Sequence, residues 1–186
     1  TLFHMDKQAG APPDAFAVKG QNWEFPTYNW EEMGKNNYAW WRQRMEHMSN
    51  YFDAIRIDHI LGFFRIWSIP HKDIEGILGT FVPSLPLGIH DFEAMGIYFE
   101  KDRFCNPFIT DDTLRKFFPG NEAWVKENIL SNYQFKSSFN SQQKIAAYFK
   151  KNPEKAFLQQ SLFDLITYVI LLEDEYRPCY FHFRIS

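Results

Sequence analysis

Cysteine is scarce in this chain. Cys105 and Cys179 stand far apart in the sequence, with neither metal-ligand spacing nor a disulfide framework. That usage points to a reducing, cytoplasmic setting. Net charge is also small: 20 Lys+Arg against 23 Asp+Glu leave −3. There is no electrostatic basis for nucleic-acid binding, and no basic run suits a membrane surface. No apolar run approaches the roughly 20 residues that cross a bilayer, and the apolar stretch 166–172 is far too short. Asn-x-Ser/Thr acceptor sites are absent, which fits an intracellular protein. His4, His47, His71, His90 and His182 show no ligand spacing, so neither a metal nor a cofactor is expected. The sequence has no internal repeat and no low-complexity tract. It opens on Thr-Leu-Phe-His and closes on Phe-Arg-Ile-Ser, which suggests an internal fragment of something longer. Its 186 residues fit roughly one domain or a large part of one.

What is abundant is aromatic. Phe, Trp and Tyr make up 19% of the chain, with Trp and Tyr clustered between Trp23 and Trp41. Aromatic faces suit the apolar C–H faces of sugar rings, although an aromatic-rich core is the simpler reading of composition alone. The most informative stretch is AIRIDHILGFFRIW, residues 54–67. It reads as a buried strand over residues 54–58, with Ala54, Arg56 and Asp58 on one face and Ile55 and Ile57 on the other. Buried charges must be paired or used. Arg56 supplies the pairing, and Asp58 is the candidate nucleophile.

Residues 1–29 read as an ordered loop, rich in Gly and Pro and without a sustained period. Long loops of this kind are often functional, and this one carries Asp14, Gln21, Trp23 and Tyr28. A helix is expected from Asn29, a good N-cap with Glu31 and Glu32 in the first turn. Its apolar stripe is Trp30, Met33, Trp41, Met45, Met48 and Phe52. The helix leads into the strand at 54–58, so that helix, strand and loop form the unit of a parallel α/β fold. In barrels of that type functional residues stand at the C-terminal ends of strands, where Asp58 and His59 fall. Beyond residue 70 the pattern becomes mostly helical, with helices expected over 110–118, 121–132, 141–151 and 153–173. The end, CYFHFRI, alternates like a strand. The division is therefore residues 1–70 as the catalytic segment, 71–175 as a helical insertion and 176–186 as a return strand.

Five blocks carry a family resemblance: GAPPDAF at 10–16, GQNW at 20–23, FPTYNWEEM at 25–33, YAWWR at 38–42 and RIDHILGFFRIW at 56–67. In this order they resemble the 4-α-glucanotransferases, the amylomaltase or disproportionating-enzyme family. The Ile60-Leu61 pair and the helical stretch after Pro70 resemble the branch that contains the plant cytosolic enzyme and its bacterial relatives. The resemblance implies an α/β fold, here a segment of a (β/α)8 TIM-type barrel with a helical insertion. It implies retaining transfer of α-1,4-glucosyl units between maltose or malto-oligosaccharides and glucan acceptors. Asp58 then matches the nucleophile, and Arg56 the arginine two residues before it. His59, Asp14, Gln21 and Trp23 match sugar-binding positions. Glu24 stands where many relatives have glycine.

Retaining chemistry needs a second carboxyl group about 5–5.5 Å from the nucleophile. The family's glutamate motif for that acid is not found in this chain, which is expected to be inactive alone. Two other readings compete. One is a non-catalytic glucan-binding or scaffold module. The other is an α-amylase-like hydrolase, which gives no reason to keep the GQNW and FPTYNW blocks.

Overall fold

The computed structural model describes residues 1–174 and 176–184. A four-stranded antiparallel sheet is ordered Gln21–Asn22, Lys7–Ala11, Ile66–Pro70 and Thr80–Val82. In its central pair Gln8 faces Ile69, Ala9 faces Ser68 and Gly10 faces Trp67. Ile69 is fully buried and Trp67 nearly so. The Trp67 indole donates to the Gly76 carbonyl at 2.7 Å, which satisfies the polar end of a buried ring. Gly10 is obligatory: a Cβ there would lie 2.0 Å from the Gln21 carbonyl oxygen. The segment 1–29 expected as loop thus supplies the central strand Lys7–Ala11, the edge strand Gln21–Asn22 and the two-stranded pair Phe3–His4 with Thr27–Tyr28. Lys-Gln-Ala-Gly-Ala carries too few branched or aromatic residues to announce a strand.

The expected helix from Asn29 forms in two pieces. Asn29 caps Trp30–Gly34 by accepting from the Glu32 amide at 3.0 Å. Asn37 and Tyr38 then take left-handed backbone angles, φ 54° and 56°, before Ala39–Ser49 resumes. Of the predicted stripe, Met33 is buried, Trp30, Trp41, Met45 and Met48 are half-buried, and Phe52 is exposed.

The strand expected over residues 54–58 is absent, and that stretch is irregular and exposed throughout. Ile55 and Ile57 alternate correctly, but a strand exists only through its ladder. Among the described residues no segment pairs with this one. All ladders among the described residues are antiparallel, and no closed barrel forms. The parallel unit inferred from the sequence is therefore not what these residues build.

The main core lies among the helices. Asp111–Phe117, Glu122–Asn128, Gln142–Lys151 and Gln159–Ile166 bury Leu114, Phe118, Val125, Ile129, Ile145, Phe149, Leu162 and Leu165. Each of the first three contributes an i, i+4 apolar pair, and each full burial stabilises by about 1.5–3 kcal/mol. Thr110 and Ser141 cap their helices as their positions suggest. Two expected helices are shorter. The one over 121–132 ends at Asn128, after which Leu130–Ser131 and Gln134–Phe135 form a hairpin. The one over 153–173 is a 3-10 turn, Pro153–Leu158, then Gln159–Ile166, then the strand Leu171–Glu173. Val169, Leu171 and Leu172 carried no helix-breaking residue to betray the switch. The alternating end forms the strand Tyr180–Phe183, between Leu171–Glu173 and Leu87–Gly88. The last two residues of the expected return strand, and Glu175, lie outside the described residues.

A polar junction joins sheet to helices. The Gln142 side chain is fully buried. Its Oε1 accepts from the amides of Ile74 and Glu75, both at 2.8 Å, and its Nε2 donates to Glu75 Oε2 at 2.8 Å. Gln160 donates to the other Glu75 oxygen at 2.8 Å and to Asp164 at 3.1 Å, and Asp164 pairs with Lys19. Truncating Gln142 leaves two half-buried amides without their acceptor. Gln142→Ala is expected to lower stability by about 2–4 kcal/mol, read from the urea midpoint.

Asp73 follows the strand Ile66–Pro70 and is 5% exposed. Burial pushes its carboxyl up to about 6, against a smaller opposing pull from Lys72. Its folded value thus lies above its unfolded one. The folded state binds the proton more tightly, and stability falls as pH rises from about 4 to about 6. Asp73→Asn is expected to stabilise by about 3 kcal/mol above that window and to change little below it. Urea unfolding at acidic and neutral pH measures the difference.

Candidate functional site

The site is assembled from two segments of different kinds. The first is the edge strand and its approach. Asp14 Oδ1 accepts from the amides of Phe16 and Ala17 at 2.8 and 2.6 Å, folding the Pro12-Pro13 loop back on itself. Gly20, at φ 67°, lets the chain pass within contact of Ala11 and Gly76 and enter the sheet. Asn22 then holds the strand end in place. Its Nδ2 donates to the Ile74 carbonyl at 3.1 Å, and its Oδ1 accepts from the Glu24 amide at 2.9 Å. The Trp23 amide donates to the Ala9 carbonyl at 2.9 Å, and its indole nitrogen donates to Gln21 Oε1 at 3.0 Å. Gln21 therefore orients the Trp23 ring in its own plane. Phe25 stacks on that ring, with centroids 5.8 Å apart and planes at 22°.

The second segment is the irregular stretch at 54–59. Arg56 Nη2 donates to Asp58 Oδ1 at 3.1 Å, with the two side chains 88% and 87% exposed. These charges were expected to be buried on a strand, and they are not. Without ladder partners nothing covers them, and an ion pair this exposed contributes little to stability. His59 ends the stretch and leads into the turn Ile60–Phe63, whose Gly62 amide donates to the His59 carbonyl at 3.0 Å.

The two segments meet at one contact. The His59 ring packs edge-on against Trp23, centroids 5.3 Å apart at 79°. A Cβ at Gly62 would lie 2.8 Å from His59 Cδ2, so the missing side chain leaves room for that imidazole. Gln21, Trp23 and His59 are thus brought together, and the Arg56–Asp58 pair adjoins them through the chain. Asp14 is not brought to them by any contact among the described residues; it braces its own turn. Arg65 lies over the Phe81 ring at 4.3 Å, and Trp67 is in the sheet core.

Sequence reasoning missed three participants. Phe25 doubles the aromatic surface, and its i, i+2 spacing from Trp23 was the available signal. Asn22 sets the strand end, and Gly62 makes space for the imidazole. Glu24, at the position noted as glycine in many relatives, takes φ 60°, a conformation that favours glycine. The surface hollows at Gly88, His90 and Tyr180 and at Asp111, Arg115 and Lys126 include none of these residues.

The model of the 4-alpha-glucanotransferase family matches residues 1–162. The chain belongs to that family. It is similar to the 4-alpha-glucanotransferase DPE2 of Oryza sativa subsp. japonica, 42% identical over 186 residues, covering 94% of this chain and 20% of that protein. A 4-alpha-glucanotransferase of Aquifex aeolicus is 39% identical over 104 residues, covering 56% of this chain and 20% of that protein. Among solved structures, an amylomaltase from Streptococcus agalactiae in complex with acarbose matches with a TM-score of 0.42 and 32% identity, covering 45% of this chain and 18% of that one. The chain spans about a fifth of the length of the first of these relatives.

Gly62→Ala is expected to push the His59 ring off Trp23 while leaving the fold intact, since a surface imidazole moves cheaply. In NMR spectra the His59 ring protons lose the ring-current shift that the Trp23 indole imposes.

Proposed function

We propose that this chain carries the nucleophile segment of a retaining 4-α-glucanotransferase, acting on maltose, malto-oligosaccharides and longer α-1,4-glucans. The observation that carries the reading is the meeting of Trp23 and His59 beside the Arg56–Asp58 pair, within a chain of this family. Asp58 attacks the anomeric carbon while an acid protonates the departing glycosidic oxygen, giving a covalent glycosyl ester. An acceptor hydroxyl then displaces Asp58, its proton passing to the former acid. Two inversions give net retention. Arg56 orients the nucleophile by charge and hydrogen bonding. Trp23, with Phe25 stacked on it, offers a sugar ring an apolar face. Gln21 and His59 present polar edges to hydroxyl groups, and Asp14 braces the turn that leads to them.

The second carboxyl group comes from beyond these residues, as does the remainder of a (β/α)8 barrel in which 54–58 becomes a paired strand. In that arrangement residues 71–175 are the insertion and the closing segment returns to the barrel. The setting is cytoplasmic, in keeping with the free thiols Cys105 and Cys179.

A second reading is favoured by one observation: the Gln21–Trp23–Phe25 surface is complete within this chain. On that reading the chain binds glucan without chemistry. An activated fluoro-sugar glycosyl fluoride applied to the full-length parent separates the two. Mass spectrometry is expected to find the sugar esterified to Asp58, with Asp58→Asn abolishing both adduct and transfer. No adduct, with glucan binding retained, favours the binding module. The 186-residue chain is expected to show no transfer by itself.

A further inference from the structure

The segment that carries Gln21 and Trp23 enters the sheet as a strand of only two residues, at its edge. So short a ladder fixes a ring poorly by itself, and the helices supply further support. The Lys19 side chain crosses to the helix Gln159–Ile166 and pairs with Asp164, 145 residues away in the sequence. Lys19 stands two residues before Gln21, which sets the plane of the Trp23 indole. The Lys19 carbonyl accepts from the Ile77 amide at 2.7 Å. A Cβ at Gly76 would lie 2.6 Å from the Gln21 amide nitrogen, so the two backbones pass in contact there. Just before Gly76, the Glu75 carboxylate accepts from Gln142 and Gln160, both at 2.8 Å. Gln160 also donates to Asp164 at 3.1 Å. One helical layer therefore reaches the Lys19–Gln21 segment by two routes, through Asp164 and through Glu75.

We infer that this helical layer positions the aromatic sugar platform, with Lys19 and Asp164 as its positioning pair, and that it sets the affinity for malto-oligosaccharide without entering the chemical step. The inference rests on the glucan reading of Trp23 and adds to it a role for the helices. Among the described residues neither Lys19 nor Asp164 bonds to Trp23 or His59, so the pair acts through the backbone and Gln21. A platform held in place before the sugar arrives spares the ordering that binding would otherwise require. It grips the sugar alike in the ground state and the transition state, so its loss appears in KM and not in kcat. The Lys19 and Asp164 side chains are 39% and 32% exposed, so salt reaches the pair and weakens it.

Initial rates of transfer by the full-length parent, over a range of malto-oligosaccharide concentrations, test it. Asp164→Asn removes the charge and keeps an oxygen for Gln160, and Lys19→Met removes the other charge. Each is expected to raise KM about five-fold, with kcat within about two-fold of wild type. The double variant is expected to be no worse than either single one, because the two side chains share one interaction. Lys19→Arg preserves the pair and keeps the wild-type KM. Raising salt from about 0.05 to about 0.5 M is expected to bring the wild-type KM towards that of Asp164→Asn and to leave the variant unmoved. Lys19→Arg and the salt series need no weakened protein, so they decide the matter even if Lys19→Met folds poorly. Additive single effects, a fall in kcat at constant KM, or a KM indifferent to every change overturns the positioning role. Transfer and the Asp58 adduct in the wild-type parent then leave the glucan reading standing. A wild-type parent with neither overturns both.

Discussion

The arrangement depends on one buried amide. Gln142 reaches from the helical layer and satisfies two consecutive backbone donors, Ile74 and Glu75, just past the central sheet strand. Nothing apolar replaces that function, because the two half-buried amides would lose their acceptor. Around the amide a chain of polar groups runs from Glu75 through Gln160 and Asp164 to Lys19. Sheet, helices and the N-terminal loop are therefore located relative to each other by hydrogen bonds, while the apolar helical core supplies the bulk of the cohesion. The direction of the loop that bears Trp23 follows from this junction. Asn22, next to Trp23, bonds to the Ile74 carbonyl, and the Ile77 amide bonds to the Lys19 carbonyl at 2.7 Å.

The candidate site is unequally supported. Its Trp23 half is held by a ladder, by Asn22 and by Gln21. Its Asp58 half is attached through the His59–Trp23 ring contact and the turn Ile60–Phe63, whose Phe63 packs on Trp30 and Trp41. A nucleophile has to be held to within fractions of an ångström, by neighbours whose own positions are fixed. The Trp23 half meets that requirement from within this chain, and the proposed barrel supplies it to Asp58. The division suits the proposed function, in which one face of the site is local and the other is completed by distant sequence.

Much of this was legible in the sequence, for identifiable reasons. Caps at Asn29 and Thr110 are local chemistry, and each appears where its residue type predicted. The alternating Tyr180–Phe183 strand is likewise a local pattern. Family membership was legible from five ordered blocks. What was not legible depends on partners. Lys7–Ala11 becomes a strand because Ile66–Pro70 lies beside it, despite weak propensity. Residues 54–58 do not become one because no strand among the described residues lies beside them, despite strong alternation. The exposure of Arg56 and Asp58 follows from the same absence. The helix break at Asn37 and Tyr38 has a local mark, since the apolar stripe skips from Met33 to Trp41 across Gly34, Asn36 and Asn37, and the reading of one continuous helix passed over it.

The Lys19–Asp164 pair spans most of the chain. Closing so large a loop carries an entropic cost that near-neighbour contacts escape. During synthesis the ribosome releases Lys19 long before Asp164 exists. The loop's bonds to Ile74 and Ile77 can form first, while the Lys19 ammonium waits until the helical layer emerges and docks. The loop's final shape is acquired only after Asp164 has been made, under the control of residues far downstream of it.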